Sequence, residues 1–217
     1  MLAKGNTAEV FEYGDEKVCK LFYEGFPQEY AELEYTNAAE LFRLKLPVAE
    51  PFGMVTASGR NGILYEKICG KPLSCLIDKG GDKTTDILAE LHLRWLGNHS
   101  KKLMSYKEYL SVMIQRKGAA DEKLPDEIRE LPDDDCILHG DFHPDNILIR
   151  ENDWSPVVID FMNVCRGPAL YDIARTFFLL RLRDSDTAGR YLKKMAVSEK
   201  DIFGFLRVIE QCRRYEG

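Results

Sequence analysis

The chain has 217 residues, 45% hydrophobic and 30% charged, with a formal charge of -6. That length buries a sizeable core as one ordinary domain or as two small lobes sharing a cleft, and the composition excludes a disordered, collagenous or fibrous protein. The negative balance disfavours broad binding to nucleic acid or to an anionic membrane, because both partners need a positive field.

Residues 1–13 carry Lys4, Glu9 and Glu12 and lack an apolar signal core. The longest apolar stretch, near 177–180, is far too short to cross a bilayer, so a cytoplasmic location without membrane or nucleic-acid partners is expected. Residues 8–22 predict a β-hairpin: a β-rich run over 8–13, a turn at Gly14-Asp15 and a second run over 17–22. Helical spacing follows Pro27. Ala31, Tyr35, Ala38, Leu41 and Phe42 form one stripe over 28–44, and Pro47 and Pro51 are expected to end the helix. A second hairpin is predicted from 51–55 and 62–68 around a turn at 58–62, and Cys69-Gly70-Lys71-Pro72 then punctuates the chain. Helices are expected over 85–96 and 106–115, short strands over 147–149 and 157–159, and helix from Leu170 onward. This order predicts an α+β protein with a strand-rich lobe, 1–68, joined to a larger helical lobe, 69–217.

Six cysteines at 19, 69, 75, 136, 165 and 212 include no C-x-x-C pair and read as reduced, buried thiols. The most informative segment is His139-Gly140-Asp141-Phe142-His143-Pro144-Asp145-Asn146, a polar loop between the apolar runs Ile137-Leu138 and Ile147-Leu148-Ile149. Asp141 and Asn146 are five positions apart on this loop, which lets a carboxylate accept a hydroxyl proton while an amide oxygen reaches a metal. Val157-Val158-Ile159 then delivers Asp160 at a strand end, a second hard oxygen ligand for Mg2+.

These residues, with Ile159-Asp160-Phe161 and Leu170-Tyr171-Asp172-Ile173-Ala174-Arg175, resemble the aminoglycoside phosphotransferase and choline kinase family, relatives of the protein kinases. The resemblance extends over about residues 5–175 and implies a two-lobed, protein-kinase-like fold with a nucleotide-binding N-lobe and a catalytic, acceptor-binding C-lobe. It implies that Asp141 is the catalytic base or hydroxyl-positioning group, that Asn146 and Asp160 hold Mg2+ on ATP or GTP, and that Lys20 grips the α- and β-phosphates. Val10, Val18, Leu148 and Ile159 would line the nucleotide base, with backbone hydrogen bonds from Glu66 and Ile68. His139 would support the loop, and Asp172 would brace it.

On the residues themselves, Val18, Lys20 and Phe22 share a strand face, and a lysine on an apolar face needs an anion. Glu34 falls inside the apolar stripe of its helix, whereas Glu29, Glu32 and Glu40 point elsewhere, so Glu34 is the expected partner of Lys20. Taken alone, Lys20 reads more often as a solvated strand lysine; for Glu34 an edge-of-stripe surface acid is the lesser alternative to the ion pair. The loop Gly5-Asn6-Thr7-Ala8-Glu9-Val10 precedes the lysine as a phosphate-covering turn would, yet has one glycine and reads equally as a strand entry. His143 reads as a substrate contact or a loop-packing residue, and His92 as a packed helix residue. Asp133-Asp134-Asp135 would attract a cationic acceptor, but a solvated turn is the commoner reading.

The leading expectation is phosphorylation of a hydroxyl on a small molecule. A catalytically silent nucleotide-binding module is one alternative. A metal-dependent hydrolase using His139-x-Asp141-x-His143 is another, without a further histidine cluster to complete it. The short segment after Arg175 leaves little material for an elaborate acceptor pocket.

Overall fold

The computed structural model describes residues 1–76, 82–116 and 123–213. In chain order the strands are β1 (Ala3–Lys4), β2 (Ala8–Tyr13), β3 (Lys17–Phe22), β4 (Pro51–Ala57), β5 (Arg60–Glu66), β6 (Gly70–Pro72), β7 (Cys136–Leu138), β8 (Ile147–Arg150), β9 (Pro156–Val158) and β10 (Cys165–Gly167). The helices are α1 (Gln28–Arg43), α2 (Asp82–Leu96), α3 (Tyr106–Arg116), α4 (Leu124–Glu130), α5 (Ala169–Arg181), α6 (Ser185–Lys194) and α7 (Glu199–Cys212). Two compact units result, one formed by Met1–Leu73 with Asp145–Met162 and the other by Ser74–Pro144 with Asn163–Gly217. Compactness therefore places 145–162 with the N-terminal strands, whereas the expected lobe boundary after residue 68 was drawn at the Gly-Pro punctuation of 69–72.

The first unit carries an antiparallel sheet of order β1-β2-β3-β5-β4. The β2–β3 hairpin has the expected bounds, and the short β1 adds a further strand paired through Ala3 with Val10 and Lys4 with Glu9. The second hairpin differs from its sequence reading. Its strands run on through Thr56 opposite Asn61 and Ala57 opposite Arg60, leaving only Ser58 and Gly59 in the turn. Both turn residues have positive φ, 51° and 74°. This is the two-residue geometry whose twist matches that of the flanking strands.

Helix α1 buries Ala31, Glu34, Asn37, Ala38, Glu40 and Leu41. It stops before either proline acts. Lys45 takes φ 61°, its N–H bonds Phe42 O at 2.9 Å, and the Leu46 N–H bonds Leu41 O at 3.2 Å. These are the two closing bonds of a Schellman cap, with a lysine where glycine is usual. A second sheet, of order β6-β8-β9, completes the unit, and Val48 bridges Val158 in parallel.

The second unit is mainly helical, with β7 and β10 as a two-stranded antiparallel sheet. Neither β10 nor the seven-residue α4 was foreseen, because both are too short to show a period. Helix α5 is buried along most of its length and packs against α6 and α7, which explains its run of apolar residues through Leu180. Asp184 caps α6 by accepting from the N–H groups of Asp186 and Thr187. Ser198 and Asp201 form a capping box at the start of α7. No helix among the described residues is long and apolar enough to cross a membrane.

Candidate active site

In the first unit, strand pairing builds one face from Val10, Val18, Lys20, Ile63 and Tyr65: Val10 lies opposite Lys20, Lys20 opposite Ile63, and Val18 opposite Tyr65. The Lys20 Nζ donates to Glu34 Oε1 at 2.7 Å, Glu34 Oε2 at 2.9 Å and Asp160 Oδ1 at 2.9 Å. Its three N–H donors are thus spent on carboxylate oxygens, at charge-assisted lengths. Tyr65 adds a fourth contact by donating its hydroxyl to Glu34 Oε1 at 3.2 Å. Burial opposes the Lys20 charge, but the fields and hydrogen bonds of Glu34 and Asp160 outweigh it and hold the ammonium above its ordinary pKa. Glu34 is completely buried; burial pushes its carboxyl up, and Lys20 pulls against that shift.

Asp160 sits at φ 69°, a left-handed conformation that aspartate tolerates better than most residues. The backbone on both sides is held. The Ile159 N–H donates to Asn146 O at 3.0 Å, and the Asn37 amide donates to Phe161 O at 3.0 Å. Asn146 and Asp160 consequently stand at the same end of the β8–β9 pair. An amide oxygen and a carboxylate left 44% exposed are hard donors of the kind Mg2+ takes, so the residues fit that ion. Leu148 and Ile159, also of this unit, are half-buried. Glu66 and Lys67 give their N–H groups to Glu50 O and Glu16 O, whereas the Ile68 N–H makes no backbone hydrogen bond among the described residues. The Glu66 carboxylate is held by Arg150 at 2.7 Å. Gly5 closes a tight turn through its N–H to Ala8 O at 2.9 Å, with Asn6 and Thr7 exposed at the tip.

Asp141 belongs to the second unit, on the loop that follows β7. Asp172 on α5 binds this loop from below: its Oδ2 accepts the His139 N–H at 2.7 Å and its Oδ1 the Gly140 N–H at 2.8 Å. Three residues on, Arg175 donates Nε to Gly140 O at 3.1 Å, and Thr176 donates its hydroxyl to Phe142 O at 3.0 Å. The i, i+3, i+4 spacing puts all three on one helix face. Gly140 has φ 75°, and a Cβ there would stand 2.5 Å from Asn163 O, so only glycine fits.

Behind Asp172 lies His92, fully buried, with Nε2 3.1 Å from Asp172 Oδ2 and Nδ1 2.7 Å from the Tyr191 hydroxyl. Burial raises the Asp172 carboxyl, but the His92 bond and the loop amides prevail and lower it. His139 is equally buried; its Nδ1 accepts the Asp141 N–H at 3.3 Å, and Trp95 meets its ring edge-on at 5.4 Å. The Asp141 carboxylate lies 3.4 Å from His143 Nε2. Burial pushes that carboxyl up, yet the His143 hydrogen bond and charge, with Arg175 and His139, bring it down to about 2.

The expected Lys20, Glu34 and Asp160 are therefore joined directly, and Asp141, His139 and Asp172 form a second connected set. Sequence reasoning missed Asn37, Tyr65, His92, Tyr191, Arg175 and Thr176 as parts of these networks. Asn37 was findable, since it is the polar residue one turn after Glu34 on the same buried stripe. The acidic turn is engaged within its own unit, with Asp133 on Lys107 at 2.9 Å and Asp135 on His99 at 2.8 Å. Among the described residues, His139, Asp141 and His143 do not gather closely enough to share an ion.

Residues 2–197 match the model of the phosphotransferase enzyme family. The chain belongs to that family. No curated protein sequence matches it. Its fold is similar to the solved aminoglycoside-3'-phosphotransferase of type VIII, at 17% identity and TM-score 0.72, over 97% of this chain and 90% of that one. It is also similar to an aminoglycoside phosphotransferase from Streptomyces rimosus in complex with ADP and streptomycin, at 14% identity and TM-score 0.62, over 89% and 86% of the two chains. Similarity to an ethanolamine kinase of Plasmodium vivax is 15% identity and TM-score 0.58, over 88% and 66%. The family match makes the chain a phosphotransferase, and the solved structures show that it shares their fold.

Proposed function

We propose that this protein moves the γ-phosphate of ATP, with GTP as the alternative donor, onto a hydroxyl of a small molecule. The observation that carries the reading is the sharing of Lys20 between Glu34 and Asp160, at 2.7 and 2.9 Å. A buried acid on a helix aligns a strand lysine toward a metal-ligating aspartate, which is the arrangement phosphoryl transfer uses to seat a triphosphate. ADP in similar structures supports a nucleoside triphosphate donor.

In this reading Lys20 binds the α- and β-phosphates. Val10, Val18, Leu148 and Ile159 enclose the base, and the Glu66 carbonyl and the Ile68 N–H bond its edge. Asn146 and Asp160 would hold Mg2+. When bound there, the ion supplies neutralising charge to the triphosphate. Asp141, with a pKa near 2, is fully ionised at neutral pH and is a weak base. Its main work is therefore to orient the acceptor hydroxyl and to take the proton once the bond to phosphorus is forming, as a loose transition state allows. Asp172, Arg175 and Thr176 fix the loop that carries it. Positioning and electrostatics supply the rate.

ADP release in the presence of magnesium, measured over a panel of amino alcohols, sugars and aminoglycosides, tests the reading. One acceptor class should raise ADP release well above the rate with water, and Asp141→Asn should lower turnover about 10²- to 10⁴-fold. Nucleotide binding without turnover against every acceptor would overturn it in favour of a silent module.

A further inference from the structure

Away from the residues assigned above, His99 and Cys136 face each other across an isolated antiparallel bridge. The flanking bonds, Ile137 N–H to Asn98 O at 2.8 Å and Ser100 N–H to Asp135 O at 3.2 Å, make them a non-hydrogen-bonded pair. In that register two side chains leave the backbone on the same face at their closest spacing. Asp134 lies two residues before Cys136, the interval that returns to the same face of an extended chain. A ring nitrogen of His99, a carboxylate oxygen of Asp134 and the Cys136 Sγ lie within 4.8 Å of one another.

We infer that His99, Asp134 and Cys136 form a metal site of the zinc class, distinct from the magnesium ligands of the proposed reaction. The donor set decides the ion: imidazole and thiolate select zinc-class metals over magnesium or calcium, which take oxygen. Zn–N of about 2.0 Å and Zn–S of about 2.3 Å put tetrahedral donors roughly 3.4–3.6 Å apart. The three atoms need to close by about 1 Å from their outer limit, which side-chain rotation at the exposed His99 and Asp134 provides. A second residue is already in place. The His99 Nδ1 stands 2.8 Å from Asp135 Oδ1, the carboxylate–imidazole contact that fixes ring orientation and makes Nε2 the basic nitrogen. Three protein ligands leave a fourth position to water. The site would clamp the segment after α2 to β7, three residues ahead of His139.

The test uses the full chain, stripped of metal by chelation and freed of any histidine tag, titrated with Zn2+ and with Co2+. One equivalent of Co2+ should bind with a thiolate charge-transfer band, excess Mg2+ should not displace it, and Zn2+ should raise the thermal midpoint. His99→Ala and Cys136→Ser should each abolish the band. Asp135→Asn should weaken affinity about 10- to 100-fold while leaving the ligands intact. His99 and Asp135 are at the surface, so these two variants remain informative even if Cys136→Ser folds poorly. Absence of the thiolate band, or a band unchanged in His99→Ala, would overturn the assignment.

Discussion

At Lys20 the energetics of a single side chain separate stability from function. The ammonium is surrounded by two carboxylates, one fully buried and one 44% exposed. Lys20→Met leaves Glu34 buried without its cation, and breaking a buried pair in this way costs about 3–5 kcal/mol. The double variant Lys20→Met with Glu34→Gln should regain most of that loss in urea unfolding, because neither charge is then stranded. ADP release should stay abolished in both. Recovery of activity in the double variant would show that the pair supports the fold alone. This ion pair was legible in the sequence, since helical spacing picked Glu34 out of several glutamates. The contact of Asp160 with the same lysine was not, because no period relates residues 140 positions apart.

Helix α5 shows what an element contributes that its residues do not show singly. Asp172, Arg175 and Thr176 lie on one face and hold the loop by four bonds, at the His139 and Gly140 N–H groups and at the Gly140 and Phe142 carbonyls. Asp172→Ala would strand two amide donors and His92 in the interior, and should lower stability by about 3–5 kcal/mol. Thr176→Val keeps the shape and removes the hydroxyl's bonds to Phe142 O and Tyr191, for about 1–3 kcal/mol. Denaturant midpoints should rank the two variants in that order. The brace by Asp172 was expected from the family likeness. The parts of Arg175 and Thr176 were not, although their spacing was visible in the chain. Helix α1 ends differently from its reading: proline position suggested the stop, while the actual device is the cap at Lys45, which hydropathy does not reveal. Lys45→Gly should stabilise the protein by about 0.5–1 kcal/mol, since a left-handed φ suits glycine and the side chain is exposed. Chemical denaturation with unchanged m-value checks it.

For the whole molecule, pH is the variable that many groups feel together. Asp141 and Asp172 both have folded pKa values below their ordinary range. A depressed carboxylate contributes stability that is complete above its unfolded pKa, about 4, and is lost as pH falls through its folded value. For Asp141 the window is therefore from about pH 4 to about 2, and the contribution is about 2 kcal/mol. Glu34, raised by burial, acts in the opposite sense. Unfolding midpoints measured from pH 7 downward should fall most steeply below pH 4, and His143→Ala should flatten that slope. The α+β plan was legible from element order alone. The grouping of 145–162 with the N-terminal strands was not, because pairing between β6 and β8 joins residues far apart in sequence.

That grouping bears on how the polypeptide is made. Synthesis yields the first 73 residues of one unit, then most of the early part of the other, and only afterwards the partner strand for Gly70–Pro72 and the bridge for Val48. The N-terminal unit thus waits on the ribosome for a segment that emerges some seventy residues later, roughly 4–14 s at ordinary elongation rates. Nascent chains arrested at residue 144 should accordingly be more open to protease around β6 than chains arrested after residue 162.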